Sequence, residues 1–213
     1  MKLEIGNIEV DKKQVVKFLG YANRKIPLII ERKIDEELEA VQSLFQPIAF
    51  IKKFKIIKIE ERKIYFGEED CLESDYLAKE LKDASFIYFV AYTIGDDIEE
   101  KIKDYSSSSE MIRGMILDKI GVVALDYIRG QIKKTISGEV EPYKICAQLF
   151  PGTKDFHISN QKTILDVFKD ENDIINISKH YQLSPIKTVA AVFGIGEHED
   201  NKTMCEQCNN KCH

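Results

Sequence analysis

The stretch Ala84-Ser-Phe-Ile-Tyr-Phe-Val-Ala-Tyr-Thr93 decides the fold. It is nearly all apolar, as expected of a strand covered on both faces, because a strand with one wet face alternates apolar and polar residues. Just downstream, Ile94-Gly95-Asp96-Asp97 can turn the chain and offer carboxylates to the unpaired N–H groups of a helix continuing over 98–104. Ser106 to Ser109 form a small polar break. Beyond it lies the longest periodic segment, roughly 110–136, with Ile112, Ile116, Ile120, Val123 and Tyr127 near one face and Lys119, Asp126 and Lys133 off that line. Gly114, Gly121 and Gly130 interrupt this helix, each costing about 1 kcal/mol relative to Ala, and read as places where another element packs close.

Upstream, Leu77 and Leu81 mark a short helix, and residues 49–66 are strand-like with a hairpin at Glu60-Glu61-Arg62-Lys63. Ile34, Leu38, Val41 and Phe45 fall at helical spacing before Pro47, which predicts an amphipathic helix over 32–45. Leu3, Ile5 and Ile8 form a short strand or bulged hairpin. Asp11 with Gln14 fits a capping box, with Val15, Val16 and Leu19 facing inward and Gly20 ending the turn. Downstream, Ile145-Cys-Ala-Gln-Leu-Phe150 reads as a strand ending in the rigid turn Pro151-Gly152-Thr153-Lys154-Asp155. Ser159 is the expected cap of a helix with Ile164, Leu165 and Phe168 inward. Ile174–Ile177 and Thr188–Phe193 offer two more strands around Ser184-Pro185-Ile186-Lys187, and Gly194 and Gly196 are expected to release the chain into a polar tail. No linker or internal repeat divides the chain. The expectation is one α+β domain over 1–196, a twisted and mainly antiparallel sheet flanked by helices, followed by a Cys-rich tail over 197–213.

Composition bounds the function. Apolar residues make up 44% and charged residues 31% of the 213, which describes a soluble folded chain rather than a disordered or fibrous one. A formal charge of -5 gives no positive field to collect phosphates, so no nucleic-acid partner is expected. No run approaches eighteen apolar residues, and Met1 to Val10 lack the apolar core of a signal peptide, so no membrane span is expected. Five cysteines, three of them in the last nine residues, do not suit a secreted disulfide framework; the expected compartment is the cytoplasm.

Cys205-Glu-Gln-Cys208-Asn-Asn-Lys-Cys212-His213 is the strongest chemical signal. The two-residue gap lets Cys205 and Cys208 turn their sulfurs toward one soft metal, and the next loop can return Cys212. Zinc needs a fourth donor, for which His213, His198 and Cys146 are candidates; a [4Fe-4S] cluster is the other occupant the thiolates can serve. A reduced Cys-rich tail or a reversible disulfide uses the same residues. In the turn Phe150-Pro151-Gly152-Thr153, Pro fixes φ while Gly permits close approach, so backbone groups there can grip a small polar ligand or simply reverse the chain. Gly194-Ile-Gly196 lacks the later glycine and following helix of a dinucleotide fingerprint. His157 is a candidate proton carrier beside the turn, Lys187 a candidate partner for a ligand carboxylate, and Ser184 has no local base.

Taken in order, several blocks resemble the activation domain of cobalamin-dependent methionine synthase, and especially short stand-alone proteins related to it. The likeness begins loosely at Val16-Lys-Phe-Leu-Gly-Tyr21. It is clearer at Tyr92-Thr-Ile-Gly-Asp-Asp-Ile-Glu-Glu-Lys101 and Leu117-Asp-Lys-Ile-Gly121. It is sharpest at Phe150-Pro-Gly-Thr-Lys-Asp-Phe156 with Gln161, and at Ser184-Pro-Ile-Lys-Thr-Val-Ala-Ala191. The resemblance implies a single α+β domain that binds S-adenosylmethionine and presents its methyl group to cob(II)alamin. The cobalamin is supplied by a partner, a methionine synthase or other corrinoid protein, with a flavodoxin-like protein as electron donor. By position it implies Gln148, Phe150, Pro151, Gly152, Thr153, Lys187 and Thr188 as the binding residues. The family's ligand turn reads R-x-x-P-G-Y; Gln148 and Thr153 stand where it has Arg and Tyr, and an amide lacks Arg's charged bidentate contact with a carboxylate. The later P-x-x-S-V-S-G pattern becomes Pro185-Ile-Lys-Thr188-Val189-Ala190-Ala191. The alternative reading is a zinc or Fe–S interaction or electron-transfer module for a corrinoid protein, without S-adenosylmethionine.

Overall fold

The structure is a computed structural model and describes residues 1–67 and 70–199. In chain order, β1 (Lys2–Glu4), α1 (Lys12–Val16) and α2 (Leu28–Ala40) lead to β2 (Ile48–Lys55), β3 (Lys58–Glu60), β4 (Lys63–Tyr65) and β5 (Cys71–Glu73). Next come α3 (Asp75–Glu80), β6 (Ala84–Thr93), α4 (Asp97–Ser106) and α5 (Met111–Val140). The chain continues through β7 (Lys144–Leu149), α6 (Asn160–Asp166), β8 (Asn176–Ile177), β9 (Leu183–Ser184) and β10 (Thr188–Gly196). Among the described residues, no helix is long and apolar enough to cross a membrane.

The apolar run forms the middle of a five-stranded antiparallel sheet of order β1-β2-β6-β10-β7. Successive β6 residues feed two apolar layers. Tyr88, Val90 and Tyr92 join the cluster beneath α5, whereas Ile87, Phe89 and Ala91 join the one beneath α3 and α6. Each of the larger of these side chains contributes roughly 1.5–3 kcal/mol by leaving water, so removing either layer would strand a full face of β6. The expected α+β architecture is what the chain adopts.

On α5 the buried line is Ile116, Ile120, Ala124, Ile128, Ile132, Ile136 and Val140. With 3.6 residues per turn, a four-residue repeat drifts by about 40° per step and winds around the helix. The helix is therefore covered first by its helical neighbours and then by the sheet. Near its start, Lys33 on α2 bonds Glu110 at 2.8 Å and Arg113 reaches Glu37 at 2.5 Å; near its end, the Tyr88 hydroxyl donates to Glu139 at 3.0 Å. This corrects the sequence reading, in which the stripe ran through Ile112 and ended at 136: Ile112 is 47% exposed and the helix continues to Val140.

Other boundaries also moved. The helix expected over 32–45 starts at Leu28, after Pro27, and gives way at Val41 to a 3-10 turn. Residues 49–66 split, β2 going to the main sheet and β3–β4 to a hairpin extended by β5. Asp11 caps α1 as expected, accepting from the Lys13 N–H, but Asp96 and Ser159 make no side-chain cap; the Ser159 hydroxyl pairs with His157 instead. Ile174–Ile177 contracts to β8, paired only with β9. Gly194 and Gly196 do not release the chain. They continue β10, where a Cβ would lie 2.5 Å from Leu81 and 2.7 Å from the Asp83 carbonyl.

Candidate functional site

β7 delivers the chain into the Pro-Gly turn. Pro151 is buried and Gly152 sits at φ +93°, a backbone region that side-chain-bearing residues rarely enter, which is why glycine follows proline here. The Gly152 N–H donates to the Phe156 carbonyl at 2.7 Å, Thr153 N–H to Phe150 at 3.2 Å, and Phe156 N–H to Thr153 at 3.0 Å. The turn thus spends its donors on itself. It is clipped to α3 by Asp155, whose carboxylate accepts from the Ser74 hydroxyl (2.9 Å) and from the N–H groups of Asp75 (2.7 Å) and Tyr76 (3.1 Å). Burial alone would push the Asp155 carboxyl up; these bonds outweigh it and hold the group below the usual carboxylate range.

Strand alternation assigns the expected site residues to faces. Ala147 and Leu149 belong to the cluster under α3 and α6, so Gln148 turns the other way, toward α5, opposite its cross-strand neighbour Phe193. Gln148 is only 2% exposed and its Oε1 has no hydrogen-bond partner. Phe150 packs against the same α5-side cluster. Thr188 pairs with Thr93 and follows the phase of Ala190, so it lies on the opposite face of the sheet from Gln148; its Oγ1 is also buried and unpartnered.

Lys187 is committed to joining elements. Its Nζ bonds Asp118 on α5 at 2.5 Å, its N–H donates to Glu99 on α4, and its carbonyl accepts from the Thr93 hydroxyl. The stem crosses α5 at Gly121, where a Cβ would come within 3.2 Å of Lys187 Cε, so that helix glycine is a packing device as expected. Gly114 is another, against Tyr105, whereas Gly130 has nothing within 4 Å. Burial pushes the Asp118 carboxyl up, but bonds from Lys187 and Lys119 prevail and lower it.

The structure adds a concavity that the sequence did not disclose. A cleft of about 350 Å³ lies between the segment over 9–14 and α5, walled by Glu9, Val10, Asp11, Gln14, Val123, Asp126 and Tyr127. Tyr127 is shared with a neighbouring hollow of about 210 Å³ beside Leu3 to Asn7. On the sequence, Asp126 is merely a polar residue off the apolar stripe; only the crossing of the N-terminal segment makes it a wall. Its carboxylate pairs with Arg129 one turn on, and the i, i+3 spacing of that pair is the signal that would have drawn attention to it. Arg129 Nε is buried without a partner. Tyr92, on the α5-facing side of β6, is wholly buried; burial drives its hydroxyl pKa up, with the Arg129 charge lowering it and Asp126 raising it.

The cleft is thus walled by the acids Glu9, Asp11 and Asp126; neither Arg129 nor Gln148 lines it, and Gln148 stands on β7, the sheet edge opposite β1. His157 is exposed on the turn, its Nδ1 2.9 Å from the Ser159 hydroxyl. The expected metal ligands Cys205, Cys208, Cys212 and His213 lie outside the described residues. Among the described residues, no three His, Cys, Asp or Glu side chains gather as a metal site.

No family model matches the chain. No curated protein matches it in sequence. It is similar to a solved structure, the crystal structure of the MetH reactivation domain bound to AdoHcy, with a TM-score of 0.69 and 10% identity over 95% of this chain and 79% of that one. What this chain shares with that domain, from its central antiparallel sheet to its flanking helices, is the fold.

Proposed function

We propose that this chain is a reactivation component for a cobalamin-dependent methionine synthase or related corrinoid methyltransferase. It binds S-adenosylmethionine on the α5 side of β7 and β10 and holds the methyl group toward cob(II)alamin carried by a partner. Two lines support the reading: the fold similarity to a reactivation domain crystallised with AdoHcy, and the ordered sequence blocks that end in the Pro151-Gly152 turn. The observation that carries it is Gln148 Oε1, an acceptor buried without a partner three residues before that turn. Such an orphan costs on the order of 1–3 kcal/mol, and a ligand ammonium or hydroxyl would relieve it.

In this reading Gln148 orients the amino-acid end of the ligand, and Phe150, Pro151, Gly152 and Thr153 shape the wall beside it. Lys187 and Thr188 hold the frame from the far end of β10. The bound cosubstrate supplies an activated methyl group. The chain's own contribution is alignment rather than acid–base chemistry, and alignment alone can lower a bimolecular barrier by several kcal/mol. The partner brings the cobalamin, and a flavodoxin-like donor the electron. The cysteine tail supports a second reading, a zinc or Fe–S module that docks to a corrinoid protein or passes electrons to it.

Titration calorimetry with S-adenosylmethionine tests the first reading. Wild-type protein is expected to bind. Gly152→Val is expected to bind at least about tenfold more weakly, because a β-branched residue at this positive φ reshapes the turn. Absence of heat at millimolar ligand, both alone and with a corrinoid protein added, would refute it.

A further inference from the structure

We infer, on the second reading above of a metal held by the cysteine tail, that Cys146 supplies the fourth thiolate of that site beside Cys205, Cys208 and Cys212. The tail's own spacing leaves one ligand to be found. Cys205, Cys208 and Cys212, which lie outside the described residues, offer three thiolates in one short stretch, and a tetrahedral soft-metal site takes a fourth donor. His213 follows Cys212 directly, whereas ligands drawn from one segment ordinarily have about two to five residues between them. His198, two residues beyond the end of β10, is the other competing donor.

The body of the protein presents a thiol at the place from which the tail departs. β10 ends at Gly196, and the chain continues through the exposed residues Glu197, His198 and Glu199. A Cβ built on Gly196 would come within 3.2 Å of Cys146 Sγ, and one built on Gly194 within 3.3 Å, so the sulfur lies against the last residues of β10 with no side chain between. Strand register accounts for its position. Ala147 pairs with Gly194 but Ile145 with Ile195, so Cys146 is the extra residue of a β-bulge, and a bulge re-aims the side chain that it leaves out of the ladder. β7 is also an edge of the five-stranded sheet and Cys146 is half-buried, which leaves room for a second segment to approach. The nine residues from Gly196 to Cys205 reach roughly 30 Å when extended, more than a return to the adjacent strand requires. Lys144 stands opposite Gly196, so a positive charge flanks the position where thiolates would gather. Cys71, the other described cysteine, belongs to β5 of the separate three-stranded sheet and has no such place. A metal bound in this way ties the tail to the β7–β10 pairing, so its binding energy becomes folding energy of the body.

Anaerobic titration of the metal-stripped full chain with Co²⁺, followed by displacement with Zn²⁺, counts the ligands, since each bound thiolate adds to the sulfur-to-cobalt charge-transfer band. Wild type is expected to show the intensity of four sulfurs. Cys146→Ser should show about three-quarters of it and hold zinc at least about tenfold more weakly, whereas Cys71→Ser, His198→Ala and His213→Ala should match wild type. Zinc should also raise the melting temperature of wild type but not of Cys146→Ser, because a metal ligated by the tail alone binds the folded and unfolded chains equally. Cys146→Ala carries the same expectations should the serine variant fail to fold. Full band intensity and zinc affinity in the Cys146 variants, or their loss in His198→Ala or His213→Ala, would overturn the assignment and leave the tail's metal reading standing. A wild-type protein that takes up neither metal would overturn both, without touching the S-adenosylmethionine reading.

Discussion

Replacing Asp155 should detach the Pro151-Gly152 turn from the body of the protein. Its carboxylate receives the Ser74 hydroxyl and the N–H groups of Asp75 and Tyr76, two of the first-turn donors that α3 cannot satisfy internally. Ser74 is fully buried, and its hydroxyl also caps Leu77 N–H at 3.1 Å, so one carboxylate orders a chain of four donors. Loss of a helix cap costs about 0.5–2 kcal/mol, and a bond to a charged group about 1.5–3. Water can reach the partly exposed backbone donors in an Asp155→Ala variant but not the Ser74 hydroxyl, which places the net loss near 2 kcal/mol. For a chain of this length that corresponds to a melting temperature lower by about 4–8 °C.

The charge leaves a second signature. Because the folded carboxyl titrates below its unfolded value, its stabilisation is complete above the ordinary carboxylate range and disappears as pH falls through the folded pKa. Melting curves of wild type and Asp155→Asn should therefore be well separated at pH 7 and converge below about pH 4. A shift for Asp155→Ala smaller than about 1 °C, or a wild-type-to-Asn gap as wide at pH 3 as at pH 7, would refute the reasoning.

Two further outcomes follow from the same structure. Lys187→Met keeps the stem over Gly121 but removes the bond to Asp118, and should cost about 1–2 kcal/mol in urea unfolding at pH 7 because Asp118 retains Lys119. The Asp118 carboxyl is lowered, so the Lys187→Met deficit should shrink as the medium is acidified through that group's titration. Full-length protein purified anaerobically should carry zinc or iron in about one site per chain, lost when the residues after Glu199 are removed, with the fold intact by circular dichroism; equal metal content in both forms would remove the tail from the ligand set.

Much of the fold was legible. The run from Ala84 to Thr93 announced a strand covered on both sides, and it became the centre of the sheet. The spacing of Ile116, Ile120 and Val123 announced α5, but not its length or final face, because a four-residue repeat changes direction as it proceeds. Gly194 and Gly196 were misread as an exit: a glycine that breaks a strand and one that admits Leu81 or Asp83 look alike in sequence. Of the candidate site, the turn and Gln148 were visible, whereas Asp126 was an ordinary polar residue on a helix until the N-terminal segment crossed above it.

The sequence by itself determined where strands and helices form and where the chain must turn, because these follow from interactions between residues a few positions apart: apolar periodicity, proline's fixed φ and glycine's tolerance of positive φ. Only the tertiary structure decided that Gln148 and Thr188 look to opposite faces, that Lys187 closes on Asp118 69 positions away, and that Asp126 borders a cleft. Those relations depend on strand register and on which element crosses which, and both are fixed by packing among distant segments that no local spacing records.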